Sequence, residues 1–333
     1  MKAICYKNTK TNLPGWVDNV HLEQKYGYAY ETPTHYVHFY GKESFYIISV
    51  GLTVTEGKAK YKSLEDWVKY RFGADEIQVM TRDVGHVLEG IWRPSLYYWY
   101  DTCNALRINE SEQVSQEQSI RLLVQKLDEL LMYIEPSIEG LECYSYKTRE
   151  LLILSCTEVE NQWRSILVHN KITPINGKDY TTKDYAKLIN KIFLTDFSIR
   201  LRNNSFRTKI TPFLSWNVSN PTKSLVWYDA YNKTKHDRYN SFSDAKLKFI
   251  IEAIAANIVL YAIRYSPLSL INNSTVFSAT INQMFTIEME NVDIKSFYIP
   301  ELDTSKIMTD DCIVFDSYRD KLNKEWKVDN ILF

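Results

Sequence analysis

The chain has 333 residues, 45% hydrophobic and 24% charged, a balance that permits a packed core and excludes disorder as its organising theme, and its length accommodates about two domains. Forty basic residues against 41 acidic ones leave a formal net charge of -1, so no whole-chain field points to nucleic acid or membrane, and any polyanion site must be a local patch. Ten glycines and the lack of a glycine-rich phosphate loop set aside the common ATP- and NAD-dependent classes.

The N-terminal stretch MKAICYKNTKTNLPGW lacks the apolar run of a secretory signal. Cys5, Cys103, Cys143, Cys156 and Cys312 are odd in number, scattered and never spaced as CxxC, so they read as reduced thiols of a cytoplasmic protein, with neither a disulfide framework nor a zinc site. Residues 34–54 alternate and are rich in aromatic and β-branched side chains, predicting strands with a turn at Gly41-Lys42. A short helix follows, with Ser63 as N-cap, Asp66 three residues on and Gly73 as C-cap. Strand and loop return over 79–100, so residues 1–114 are expected to form a mixed α/β, aromatic-rich region.

From Ser115 the period becomes helical. A first helix opens with Ser115 and Gln118 in a capping-box spacing, carries Ile120, Leu123, Leu127, Leu130 and Ile134 on one stripe, and stops at Glu135-Pro136. A second spans 146–169, with Leu152, Cys156, Val159, Trp163 and Ile166 as its stripe, and a third starts at Thr181 with Asp184 in the box position and runs to 194. A fourth covers 224–235 and a fifth 243–265, the last capped by Ser243. The apolar run from Phe249 to Ile263 is interrupted by Glu252 and Asn257 and is shorter than the roughly 20 residues a membrane span needs. The expectation is an α+β chain: a helical bundle over 115–266, flanked by the N-terminal mixed region and by a strand-rich segment over 267–333 that packs on the rest. TVFSATI and DDCIVF are its expected strands.

On the fourth helix Tyr228, Asn232 and His236 recur every four residues, with Asp229 beside Asn232 and with Lys233, Lys235 and Arg238 close by. Such a stripe suits metal-independent phosphodiester chemistry: His236 as acid or base on a ribose 2′-hydroxyl, Asn232 as an orienting amide, and a cation on the phosphate. Imidazole titrates near pH 6.5 and so both accepts and donates near neutrality. The structural alternative is a helix end that gathers Lys235 and His236 because the macrodipole favours cations there. Arg200, Arg202, Arg207 and Lys209 form a basic cluster in the preceding loop, where phosphate contact and plain solvation are both open readings. In the second helix Glu158 and Gln162, one turn apart, are placed to orient the imidazole across the bundle, or merely to border the core. His35 and His38 have the odd separation that sends strand side chains to opposite faces, and no metal site is expected.

A helical bundle whose penultimate long segment ends in NKTKH resembles the HEPN superfamily over about residues 144–265. That resemblance implies a bacterial endoribonuclease of the toxin-antitoxin or antiphage-defence kind, cleaving RNA without a metal or other cofactor. A homodimer and a protein antitoxin or regulator are its implied partners. The family pattern has an arginine four to six residues before the histidine; Ala230, Tyr231 and Asn232 stand there, and Arg238 is the nearby cation. The roles it implies are His236, Asn232 and Arg238 in catalysis, Lys233, Lys235, Arg202 and Arg207 on phosphate, and Asp229, Glu158 and Gln162 in support. The alternative is a non-catalytic nucleotide-, RNA- or protein-binding module that uses the same face. An enzyme with its site in the aromatic N-terminal region is a third reading, without a catalytic constellation in the sequence.

Overall fold

A computed structural model describes residues 1–13, 18–41, 52–97, 99–202, 209–272, 274–290, 292–308, 312–314 and 319–332. In chain order the first elements are β1 (Lys2–Lys7), α1 (Val20–Glu23), β2 (Tyr26–Glu31), β3 (His35–Gly41), β4 (Leu52–Gly57), α2 (Leu64–Phe72), β5 (Asp75–Asp83), β6 (His86–Leu88) and α3 (Trp99–Leu106). Next come α4 (Glu110–Leu131), α5 (Tyr146–His169), α6 (Thr182–Ala186), β7 (Phe197–Leu201), β8 (Lys209–Ile210) and α7 (Val226–His236). α8 (Arg238–Ser241), α9 (Leu247–Tyr265), α10 (Leu268–Ile271), α11 (Val276–Met284), β9 (Phe285–Met289), β10 (Cys312–Val314) and β11 (Lys327–Asp329) complete the order. They fall into two compact units, Met1–Leu88 with Arg93–Leu106 and Val292–Asp329, and Glu89–Trp92 with Arg107–Asn291 and Asn330–Phe333. No helix among the described residues is long and apolar enough to cross a membrane.

The first unit is built on a six-stranded antiparallel sheet ordered β10-β4-β3-β2-β1-β5. The pleat sends alternate residues to opposite faces, and here both faces are buried. Ala3, Cys5, Tyr28, Tyr30, Val37 and Phe39 pack against Phe297, Ile299 and Leu302. Ile4, Tyr6, Ala29, Tyr36 and Tyr40 pack against Trp67, Val68 and Phe72 of α2. That helix has the caps its sequence announces: the Ser63 hydroxyl accepts from the Asp66 amide, and Gly73 closes the helix at φ 56°. A Cβ at Gly73 would stand 2.2 Å from the Thr9 hydroxyl, so both conformation and space call for glycine. The buried Glu56 carboxylate ties the helix to the sheet, accepting from the Trp67 indole at 2.6 Å and from Arg71 at 2.9 Å. β6 and β11 pair in parallel as a separate two-stranded element.

In the second unit every residue of α9 from Ala253 to Tyr265 is buried, which leaves its polar side chains dependent on other helices. Asn257 accepts from the Gln162 amide of α5 at 2.6 Å and donates to the carbonyls of Ser155 and Ala253, each at 2.9 Å. The Tyr261 hydroxyl donates to Glu117 of α4 at 2.6 Å, and Arg264 pairs with Glu112 at 3.5 Å. α5 begins with a reciprocal capping box between Ser145 and Thr148. A three-stranded antiparallel sheet, β8-β7-β9, belongs to the same unit.

The chain is thus mixed α and β, but the expectation of a helical bundle flanked by a mixed region and a strand-rich segment is overturned. Residues of the C-terminal part complete the N-terminal sheet, Cys312 pairing with Val54 and Val314 with Leu52, and the helices of the second unit share it with a sheet. TVFSATI is not a strand: Thr275 and Ser278 form a capping box in which both bonds are made, and α11 follows, local capping and packing outweighing β-branched propensity. α4 starts at Glu110, ahead of Ser115, because Asn109 accepts from the Ser111 and Glu112 amides. α6 keeps the Thr181–Asp184 box but ends at Ala186, giving way to turns that reach Phe193 at φ 62°. α9 starts after a 3₁₀ turn at Phe242–Asp244, not at Ser243. Lys42 of the expected Gly41-Lys42 turn lies outside the described residues.

Truncating Asn257 strands the Gln162 amide and the Ser155 carbonyl inside the core. Asn257→Ala is expected to lower stability by about 2–4 kcal/mol in urea unfolding. Gln162→Ala is expected to lower it as well, and the double variant by less than the sum, since both remove one bond.

Candidate functional site

α7 is seated by its apolar side and exposed at its end. Trp227, Tyr228, Ala230, Tyr231 and Thr234 are buried. The Trp227 indole donates to the Pro212 carbonyl at 2.9 Å, and Trp163 of α5 lies 5.5 Å from the Tyr228 ring and 4.7 Å, stacked, from Trp216. The Tyr228 hydroxyl donates to Glu160 at 2.5 Å; burial first, and that carboxylate second, push its phenol well above the ordinary range. Near the far end the Arg149 guanidinium of α5 donates twice to the Thr234 carbonyl, at 3.2 and 2.9 Å, satisfying one of the orphan acceptors of a helix C-terminus. Helical geometry stops at His236, and the Asp237 carboxylate then caps α8 by accepting from the Asn240 amide.

The polar stripe of α7 is largely engaged within the helix. Asp229 is held by Lys233 at 2.7 Å, the Asn232 amide donates to the Tyr228 carbonyl at 3.1 Å, and Lys235 donates to the Tyr231 hydroxyl at 2.8 Å. His236 is exposed, and no hydrogen bond joins its ring to any described residue. Arg238, two residues on, lies with its guanidinium 5.0 Å over the Tyr146 ring and donates to that tyrosine's hydroxyl at 2.9 Å. Tyr146 packs on Phe242 (4.8 Å), which also meets Tyr144 edge-on (5.7 Å). Tyr239 is 95% exposed, Tyr146 67% and Tyr144 49%. The α7–α8 corner therefore carries an aromatic surface interleaved with His236, Arg238 and Lys235. The acids beside it have local work: Asp237 caps α8, and Glu142 is held by Lys246 and Lys248, which keep its carboxyl below its ordinary value.

The remaining candidates lie elsewhere. Glu158 accepts from Gln116 of α4 at 3.0 Å, burial raising its carboxyl above the ordinary value, and Gln162 serves Asn257. Neither is bonded to His236. Arg202 donates to the Phe285 carbonyl, Arg200 pairs with Glu288 and Lys209 with Glu290, so acids on and just after β9 neutralise this part of the basic cluster. Arg207 is outside the described residues. In the first unit, burial drives the His38 imidazole well below its ordinary value while its Nδ1 meets the Tyr6 hydroxyl at 2.6 Å. Among the described residues no group of three His, Cys, Asp or Glu side chains is placed to hold a metal ion.

Sequence reading passed over Arg149, Tyr146 and Tyr239. Tyr146 and Tyr239 were the findable ones, as aromatics flanking the cations of a helix-turn. Glu160 is paired with Arg164 by spacing alone, whereas burial beside Tyr228 decides its partner. Glu252, which interrupts the apolar run of α9, lines a cavity with the first turn of α7. Burial pushes its carboxyl up to about 7 from an ordinary 4.5, Lys248 opposing. Comparison of the chain with family models, curated proteins and solved structures found no match.

A carboxyl that binds its proton more tightly when folded adds stability below its unfolded pKa and loses it as pH rises to the folded value. Glu252 should therefore make stability fall between about pH 4.5 and 7. Glu252→Gln is expected to remove that slope and to be more stable than the wild type by roughly 1–2 kcal/mol at pH 8, with the two alike near pH 4, in urea titrations.

Proposed function

We propose that the α7–α8 corner binds single-stranded RNA, with Arg238 on a phosphate and the Tyr239 and Tyr146 rings against bases. The observation that carries this reading is the Arg238 guanidinium lying over Tyr146 next to a tyrosine ring that is almost wholly in solvent. Aromatic platforms beside backbone-tracking cations are how proteins hold single strands without strong sequence preference. An exposed ring of this size has no packing role of its own to explain it.

The endoribonuclease implied by the HEPN resemblance is a second reading, favoured by one observation: both His236 ring nitrogens lack a bond to any described residue, which leaves one free for a ribose hydroxyl. Against it, Asn232 and Asp229 are already engaged by Tyr228 and Lys233, so no described residue orients the imidazole by a hydrogen bond. Binding is the better supported activity.

Fluorescence anisotropy with a labelled single-stranded RNA, titrated with salt, tests both. Arg238→Ala is expected to reduce the slope of log affinity against log salt by about one. Tyr239→Ala is expected to weaken binding by about 1–3 kcal/mol at fixed salt. Affinities unchanged in both variants overturn the binding site. Incubation of the same RNA with a chelator present decides the second reading, which requires cleavage by the wild type and none by His236→Ala.

A further inference from the structure

The cavity at the opposite end of α7 measures about 410 Å³ and lies between the chain after β8, the first turn of α7 and the first turns of α9. That volume falls within the range of small-molecule sites. Its walls are apolar where Ile210, Val226, Trp227 and Phe249 meet. Most of the polar side chains there are committed. Lys209 pairs with Glu290, and Lys248 pairs with Glu142 at 2.5 Å. Ser215 donates to the Ser224 carbonyl and the Trp227 indole to that of Pro212. Glu252 is different: half-buried on α9, its carboxylate makes no hydrogen bond or ion pair with any described residue. Thr211 lines the same cavity, and its hydroxyl is likewise unbonded to any described residue.

These facts select among ligands. The Glu252 carboxylate, drawn out of water, has only Lys248 near enough to act on it, and that lysine is bonded to Glu142; a charge-assisted bond is then the strongest contact the cavity has to give. An anion would meet Glu252 and find both lysines already neutralised. A hard metal ion needs several oxygen ligands, and one carboxylate with one hydroxyl falls short. An ammonium or guanidinium on a hydrocarbon body matches both the charge and the apolar walls. We propose that this cavity is a binding site for a small organic cation, its basic group paired with Glu252 and hydrogen-bonded by Thr211, its apolar body against Val226 and Phe249. This site is separate from the His236 corner and stands whether or not that corner binds RNA.

Ligand-observed NMR on the full chain, with 2-phenylethylamine and agmatine as cationic probes and phenylacetate as the matched anion, tests it. At least one amine is expected to bind the wild type and phenylacetate is not. Glu252→Gln, which keeps shape and removes charge, is expected to weaken amine binding by about tenfold or more. Val226→Trp, which fills the cavity from its exposed rim, is expected to abolish it. Circular dichroism melts confirm that each variant is folded; if Glu252→Gln melts early, the wild-type preference for amine over anion and the Val226→Trp result decide. Binding of neither amine, preference for phenylacetate, or undiminished amine binding to a folded Glu252→Gln overturns the proposal.

Discussion

A helix buried on every side sets the terms for the second unit. Thirteen consecutive residues of α9, Ala253 to Tyr265, are out of water, so each polar group among them has to find its partner on another element, and those partners fix where α4 and α5 lie. The amide pair between Gln162 and Asn257 is the sharpest case, because it is directional and lies where no solvent can substitute for it. It also explains a negative finding. Gln162 is well spaced to support a catalytic imidazole, but its donor is spent on the core. Two of the polar residues of α9 have opposite fates: Asn257 is sealed within the packing, while Glu252, one turn and a half earlier, opens onto a cavity.

α7 shows the same division along a single helix. Its first two turns are anchored by indole and phenol groups whose hydrogen bonds are all internal, and its last turn is closed by Arg149 from a neighbouring helix. The Thr234 carbonyl is thus capped by Arg149 and that of Lys233 by the Asp237 amide, without a contribution from the His236 or Arg238 side chains. They are left in solvent beside tyrosines. The pattern differs from a structural helix terminus, in which the last cations would fold back onto the final carbonyls.

Much of the local structure was legible in the residues. α5 runs over 146–169 as its stripe indicates, and the Ser63, Gly73, Thr181 and Asp184 signals act as caps because capping is a contact between near neighbours. What could not be read depends on distance or direction. Nothing local in CIV says that it pairs with β4, and the both-sided burial of the sheet erases the alternation that would distinguish its faces. TVFSATI has strand residues and a helix cap, and the cap with its packing prevailed. At the site, spacing put Asp229, Asn232 and His236 on one helical face, but it could not say that Lys233 and the helix backbone would occupy the first two.

The pairing of β4 with β10 has a consequence for the order in which the chain can be completed. β4 is flanked on one side by β3, close in sequence, and on the other by a strand that is synthesised only after residues Arg107–Asn291 of the second unit. Until then a row of backbone donors and acceptors on Leu52, Thr53 and Val54 has no mate, and an open strand edge is a template for pairing with other chains. The closing contact is among the most non-local in the molecule, which slows its formation. β10 thus acts as a late-arriving guard on the sheet margin, and its value to the protein is as much in keeping nascent copies apart as in the three residue pairs it adds.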